Sequence, residues 1–208
     1  MKLTVLGANG RTGRLVVSEA LARGMDVTAV VRSQEKVPSS SHSDLSAKVG
    51  DPCDAGFLRD VFHGQDVVIS TLGGRRPTQE ATAIYYRSAQ AIVEAAKFSR
   101  PKRVLVTSSA LVFPAGSFAE KVLKLLVPNV VNSACRMERT LAASELNWTV
   151  ARCGFLNDKN TNRYRAERDG LPQNGSSVSR LALATFLLDA VDQPKTHFGV
   201  FGVSRAEG

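Results

Sequence analysis

The sequence predicts an α/β fold built on a doubly wound parallel sheet, and three observations carry that expectation. Strand and helix signals alternate from residue 2 onward, the pattern of successive βαβ units. A central strand segment, Asp66-Val-Val-Ile-Ser-Thr-Leu72, is a near-continuous apolar run, as burial on both faces requires. The first strand runs into "LGANGRTG", Leu6–Gly13, where three glycines in seven residues occupy the junction with the first helix. Glycine costs backbone entropy and packs nothing, so its clustering there implies that something approaches the backbone closely.

Taken in order, Lys2–Leu6 is the first strand, Leu15–Arg23 an amphipathic helix stopped by Gly24, and Asp26–Val31 the second strand. Ser33–Ser46, with Pro38 and Ser39-Ser-Ser41, reads as a surface loop or short helix. A short third strand near Ala47–Val49 precedes Gly50-Asp51-Pro52. Asp54 is placed to cap a helix through His63 that buries Phe57, Leu58, Val61 and Phe62. The fourth strand, Asp66–Leu72, ends at Gly73-Gly74, and a long helix follows over Thr82–Ser99. Arg103–Thr107 is the fifth strand, followed by Ser108-Ser109 and a loop with Pro114 and Gly116. Helices Phe118–Val127 and Asn129–Glu145 are separated at Pro128, and Met137 and Leu141 read as core. Asn147–Arg152 is the sixth strand. From Cys153 to Gly175 the alternation breaks down and polar residues dominate; then Ser179 caps a last helix to Val191, and Phe198–Val203 adds a final strand. Residues 1–208 are expected to form one domain, with 153–178 as the candidate substrate-loop region.

Composition narrows the functional classes. A chain of 208 residues, 43% hydrophobic, can bury one substantial core. No run approaches the roughly 18 apolar residues of a membrane span, and the chain enters a strand without a leader peptide, so a cytoplasmic protein with no membrane partner is expected. Three widely spaced cysteines favour neither a disulfide framework nor a metal site. The net charge of +8 is spread from Lys2 to Arg205 with no recognition motif, so nucleic acid is not the expected partner, whereas an anionic small molecule suits the field. Small size and the lack of an obvious apolar interface helix lead to the expectation of a monomer.

Between a strand and a helix, the glycines acquire specific tasks. Gly7 permits the tight turn, Gly10 the close approach of a pyrophosphate and Gly13 the packing of helix on strand, with the helix N-terminus facing the diphosphate. The expectation is a Rossmann-like dinucleotide-binding domain, with the spacing Gly-x-x-Gly-x-x-Gly. Arg32-Ser33 ends the second strand where an NAD site commonly has an acid; a guanidinium there suits the 2′-phosphate of NADP(H), with Arg11 and Lys36 as candidate helpers. Asp51 reads equally as an adenine contact or a turn residue, and Leu72-Gly73-Gly74-Arg75 as a stretch beside the diphosphate and nicotinamide ribose.

Gly7-Ala-Asn-Gly10-Arg-Thr-Gly13, Val31-Arg32-Ser33, Gly50-Asp51, Thr107-Ser-Ser-Ala110 and Asn147-Trp-Thr-Val-Ala-Arg152 together resemble the atypical short-chain dehydrogenase/reductases over almost the whole chain. Chain size, the Thr-Ser-Ser-Ala turn and Arg136-Met137 are similar to the biliverdin reductase B/flavin reductase branch. The resemblance implies an NADPH-binding monomer. It implies cofactor contacts from Gly7, Asn9, Gly10, Thr12, Gly13, Arg32, Asp51, Leu72, Gly73 and the Ser108-Ser109 turn, with Cys153-Gly154-Phe155-Leu156 wrapping the nicotinamide. Two departures stand out: Cys153 replaces a common proline, and Phe155 replaces the histidine of that branch, whose role is therefore not carried over.

The chemistry follows from what is missing. Ordinary short-chain dehydrogenases protonate an alkoxide with a Tyr-x-x-x-Lys pair. Here Tyr85, Tyr86 and Tyr164 are followed four residues on by Ala89, Gln90 and Arg168. An acceptor that spreads the incoming charge needs no dedicated acid, so a flavin, quinone or linear tetrapyrrole is expected. Ser109 is the expected orienting residue and Phe155 a stacking wall, while Asp158, Glu167 and Asp169 are the acids from which a donor could come. Cys153 is a candidate oxidisable thiol near the nicotinamide, and His42, His63 and His197 read as surface or capping residues. The alternative is a nonenzymatic NADP(H)-binding sensor or regulator.

Overall fold

The computed structural model describes residues 1–38, 42–74 and 76–206. The chain runs β1 (Lys2–Leu6), α1 (Arg11–Ala22), β2 (Asp26–Val31), β3 (Leu45–Val49), α2 (Ala55–Phe62), β4 (Val67–Ser70), α3 (Gln79–Thr82), α4 (Ile84–Ser99) and β5 (Arg103–Ser109). It continues with α5 (Phe118–Leu126), α6 (Pro128–Ala142), β6 (Trp148–Cys153), β7 (Phe155–Asn157), β8 (Tyr164–Arg168), β9 (Ser177–Ser179), α7 (Arg180–Asp189) and β10 (Gly199–Arg205). One sheet has the order β3-β2-β1-β4-β5-β6-β10-β8, parallel except for β8, which pairs antiparallel with β10. The doubly wound Rossmann-like architecture is the one the alternation predicted.

Successive strand residues point to opposite faces, and the two faces carry two cores. Leu3 and Val5 of β1 pack with Val16, Ala20, Leu183 and Leu187 under α1 and α7. Leu6 packs with Leu58, Phe62, Ile92, Met137 and Leu141 under α2, α4 and α6. Asp54 caps α2 by accepting from the amides of Gly56 and Phe57 at 2.8 and 3.2 Å, and Ser179 caps α7 by accepting from Ala182 at 2.9 Å.

Several boundaries differ from the sequence reading for local reasons. Helix α1 starts at Arg11, four residues before Leu15, because Gly10 is already its N-terminal flank. Strand β3 begins at Leu45, paired with Val27, so the preceding loop is shorter than Ser33–Ser46. Strand β4 ends at Ser70, and the helical stretch before Ser99 is split by a break at Ala83. Pro128 is the first residue of α6 rather than a spacer, since the amide it lacks has no partner at that position. The stretch 153–178 is not irregular: β7 and β9 pair in parallel, and β8 forms the sheet edge. Backbone pairing holds these short strands; β7 and β9 are three residues each, and the charged sequence of β8 shows no alternation to announce it.

Helix α5 differs from the other helices. None of its residues is buried, and Phe118, Leu125 and Leu126 are 81%, 79% and 71% exposed. An apolar helix face is therefore presented outward. Among the described residues, no helix is long and apolar enough to cross a membrane.

Candidate functional site at the C-terminal rim of the sheet

The glycine loop leaves β1 through Gly7, whose φ of +80° is the left-handed conformation that side chains rarely adopt. The Gly10 amide closes the turn on the Gly7 carbonyl at 2.8 Å. A Cβ on Gly13 would lie 2.1 Å from the Gly7 oxygen, so only glycine lets α1 start this close to the strand. Gly10 differs: it is exposed, and a Cβ there would meet the Gly7 oxygen alone, at 3.1 Å. Chain packing thus accounts for Gly7 and Gly13 and leaves the backbone at Gly10 open to a ligand. No side chain caps the first turn of α1 and no acid stands in it, so Arg11, Thr12 and Gly13 open a helix whose N-terminal field suits an anion. This cradle fits a dinucleotide diphosphate.

Around the loop, Asn9 accepts from the Arg14 Nε at 3.0 Å and braces the turn. Arg11 pairs with Asp158, whose other oxygen accepts from Arg180 at 2.7 Å. Asp158 therefore ties the glycine loop to the start of α7 instead of standing as an isolated acid. Glu167 and Asp169 lie at the far sheet edge, on and just after β8. Arg180 was missed by sequence reasoning; its side chain is mostly buried, and its charge reaches Cys153. Its role depends on a carboxylate 22 residues away, which no local motif encodes.

At the end of β2, Arg32 is exposed, and its charge and that of Arg87 both reach Cys53. Arg87 is a second cation on this side that the sequence did not mark. Lys36 stands 3.8 Å from Glu35, and Arg11 pairs with Asp158. Asp51 accepts from the Cys53 amide at 2.9 Å, which is the turn role; its carboxylate is exposed. The Cys53 thiol is pushed up to about 11 by burial and by Asp51.

Leu72, Gly73 and Gly74 leave β4, and Arg75 lies outside the described residues. The double glycine has a packing cause: a Cβ on Gly73 would meet the Tyr85 hydroxyl at 3.0 Å, and one on Gly74 the Ala81 carbonyl at 3.0 Å. Tyr85 therefore sits under this rim, and burial together with Cys153 pushes its phenol up to about 12. The phenol keeps its proton at neutral pH.

The two serines ending β5 have different surroundings. Ser108 is buried and donates to Glu138 at 2.6 Å. Arg152 grips the same carboxylate through two nitrogens, at 3.0 and 2.5 Å, and stacks over Phe113. The Ser108 hydroxyl is thereby committed to the interior, so a contact from this turn to a cofactor would fall to its backbone and to Ser109. Ser109 accepts from the Leu111 amide at 3.2 Å, so its own proton remains to be donated. It lines a mostly apolar cavity of about 240 Å³ with Phe113, Leu123, Lys124, Cys153, Gly154 and Phe155. Phe155 is 68% exposed at this cavity. Gly154 is required by packing, since a Cβ would lie 2.2 Å from the Ser176 carbonyl. The Cys153 thiol donates to the Ser108 carbonyl at 3.3 Å, and burial pushes it up to about 12, so it is not a reactive thiolate.

Comparison with known proteins agrees with this geometry. The profile of the NAD(P)H-binding family matches residues 7–194. The chain is 28% identical over 226 residues to the uncharacterized chloroplastic protein At2g34460 of Arabidopsis thaliana, covering 99% of this chain and 78% of that one. It is 23% identical over 203 residues to the uncharacterized protein YwnB of Bacillus subtilis, covering 93% and 92% of the two chains. A short-chain dehydrogenase/reductase from Veillonella parvula, solved in complex with NADP, superposes with a TM-score of 0.81 at 23% identity, covering 98% and 94%. The oxidoreductase YlbE of Lactococcus lactis superposes with a TM-score of 0.82 at 17% identity, covering 100% and 92%. With an open glycine cradle, a Rossmann-like sheet and a profile match over most of its length, this chain is a member of the NAD(P)H-binding family.

Proposed function

We propose that the protein is an NADPH-dependent reductase of conjugated acceptors such as flavins, quinones or linear tetrapyrroles, as in the flavin reductase branch it resembles. The observation that carries this reading is the apolar cavity at the ends of β5 and β6, on the same rim as the glycine loop. The loop and the first turn of α1 would hold the diphosphate, Arg32 the 2′-phosphate, and Leu72 and Gly73 the ribose side. NADPH held there would supply a hydride to the acceptor and become NADP⁺, and the one proton that completes the reduced acceptor would come from water. Ser109 donates its hydroxyl proton to orient the ring, and the exposed face of Phe155 stacks on it. Tyr85 and Cys153, both pushed up to about 12, stay protonated and act neither as base nor nucleophile near neutral pH.

A second reading, a nonenzymatic NADP(H) sensor, has its own support. Asp158 joins Arg11 of the glycine loop to Arg180, so cofactor binding at the loop would be felt by the segment after β7. Stopped-flow NADPH oxidation with FMN, riboflavin and a quinone separates the two. Turnover well above the background without enzyme is expected; tight NADPH binding without turnover would replace the reductase with the sensor.

A further inference from the structure

Phe118, Val122, Leu125 and Leu126 fall on one side of α5, at the i, i+4, i+7, i+8 spacing of a single helical face. All four are exposed. The opposite side of the same helix supplies Glu120, Leu123 and Lys124 to the apolar cavity. Lys124 is anchored inward by donating to the Phe113 carbonyl, while Lys121 is exposed at the edge of the outer face. A short helix is thus apolar toward solvent and also walls the acceptor cavity. Such a combination is unusual in a chain whose other long helices bury their apolar sides.

Charge indicates what covers it. The chain carries +8, and Lys159, Arg163, Arg165 and Arg205 line a second cavity of about 560 Å³ together with Asn174. Asn174 lies between Leu171 and Ser176, which line the first cavity, so the basic cluster adjoins the acceptor site through this segment. An amphipathic helix with a Phe/Leu face, flanked by Lys121 on a chain of net charge +8, suits an anionic lipid interface. A second copy of the chain fits less well. The stripe offers roughly 500 Å² of side chain, short of the about 800 Å² per partner of a standard protein interface.

We propose that α5 docks the protein on an anionic bilayer surface, and that the cavity behind it takes a conjugated acceptor dissolved in the lipid. The sequence expectation of no membrane partner rests on span length, which an interface-lying helix does not need. The acceptor half of the proposal rests on the reductase reading; the docking half does not.

The test is flotation of the full chain with vesicles of phosphatidylcholine alone or with a third phosphatidylglycerol. Binding to the anionic vesicles is expected, reduced but retained in about 1 M salt, where screening removes most charge attraction. The double variant Leu125→Glu, Leu126→Glu should lower partitioning by about tenfold or more, with unchanged circular dichroism and NADPH affinity. Absence of binding, equal binding by the variant, complete loss in salt, or wild-type self-association that the variant abolishes would each overturn docking. In a second arm, a long-tailed quinone in the anionic vesicles should be reduced about tenfold more slowly by the variant, with a short water-soluble quinone reduced equally. Vesicle binding with FMN turnover but no reduction of the long-tailed quinone would overturn the acceptor half while leaving docking and the reductase reading in place, and vesicle binding with no turnover of FMN or of either quinone would overturn the reductase reading as well. Turnover without vesicle binding would overturn docking and leave the reductase reading in place.

Discussion

At the N-terminal ends of β5 and β6 the guanidinium of Arg103 is buried and donates to Asn147 at 2.5 Å and to Thr149, Thr196 and the Ala190 carbonyl at 2.9 Å. At the opposite ends of the strands the glycine loop presents an exposed backbone at Gly10, and Ser109 faces a cavity with a proton still to donate. The closed rim uses its polar groups inside the chain, with one exception: Arg103 Nε is the one buried side-chain polar atom without a partner among the described residues. Burial pushes the Arg103 guanidinium down to about 10, so its neighbours hold a cation that desolvation disfavours. The contrast separates a rim organised for stability from one organised for ligand, and substitutions at the two rims should fail differently.

The largest expected effect is at the closed rim. Arg103→Ala should lower unfolding stability by about 2–4 kcal/mol through lost hydrogen bonds and the cavity left behind, while NADPH affinity of the folded protein is unchanged. Urea unfolding and a cofactor titration read the two quantities; an unchanged midpoint, or affinity falling with stability, would break the separation. Next come the two glycines of the open rim. Gly13→Ala, with its Cβ driven onto the Gly7 carbonyl, should cost about 1–3 kcal/mol of stability as well as affinity. Gly10→Val should leave the melting temperature nearly unchanged and weaken NADPH by about tenfold or more. Full affinity in folded Gly10→Val would show that the diphosphate lies elsewhere.

Smaller in its reach, Arg32→Ala should weaken NADPH by about 10–100-fold and leave NADH unaffected, the loss of roughly 1.5–3 kcal/mol from a charge-assisted contact. Equal affinity of the wild type for both cofactors would remove the 2′-phosphate assignment. The smallest effect concerns pH. Groups whose pKa is raised to about 12, Tyr85 and Cys153, hold their protons throughout the range pH 6–8 and contribute no limb. Single-turnover flavin reduction should therefore be nearly flat there, and Tyr85→Phe should fall well short of the ~10²-fold loss expected of a general acid. A steep profile removed by that substitution would turn Tyr85 from a packing residue of the open rim into its proton donor.

The sequence made the parallel core legible because β1, β2 and β4 are dominated by apolar residues, and burial on both faces leaves little alternative. The glycine turn was legible because sterics restrict Gly7 and Gly13 within one local motif. Hidden were features whose cause lies far along the chain: Ser108 is turned inward by Glu138, and Arg180 is bound by Asp158. Strand β8, Tyr-Arg-Ala-Glu-Arg, is defined by its pairing with β10 and carries no period of its own. The pattern of α5 was read as a helix but not as an outward apolar face, because periodicity reveals that a face exists and not whether a partner covers it.

The pairing of α1 with α7 ties the beginning of the chain to its last thirty residues. Leu3, Val5, Val16 and Ala20 share one cluster with Leu183 and Leu187, so the chain through residue 187 must leave the ribosome before that face of the sheet is covered. The other face is completed earlier, by α2, α4 and α6. During synthesis the nascent protein is therefore a half-covered sheet with its α1 side exposed, the interval in which chaperone capture or aggregation competes with folding. A stop codon before residue 180 would make that interval permanent.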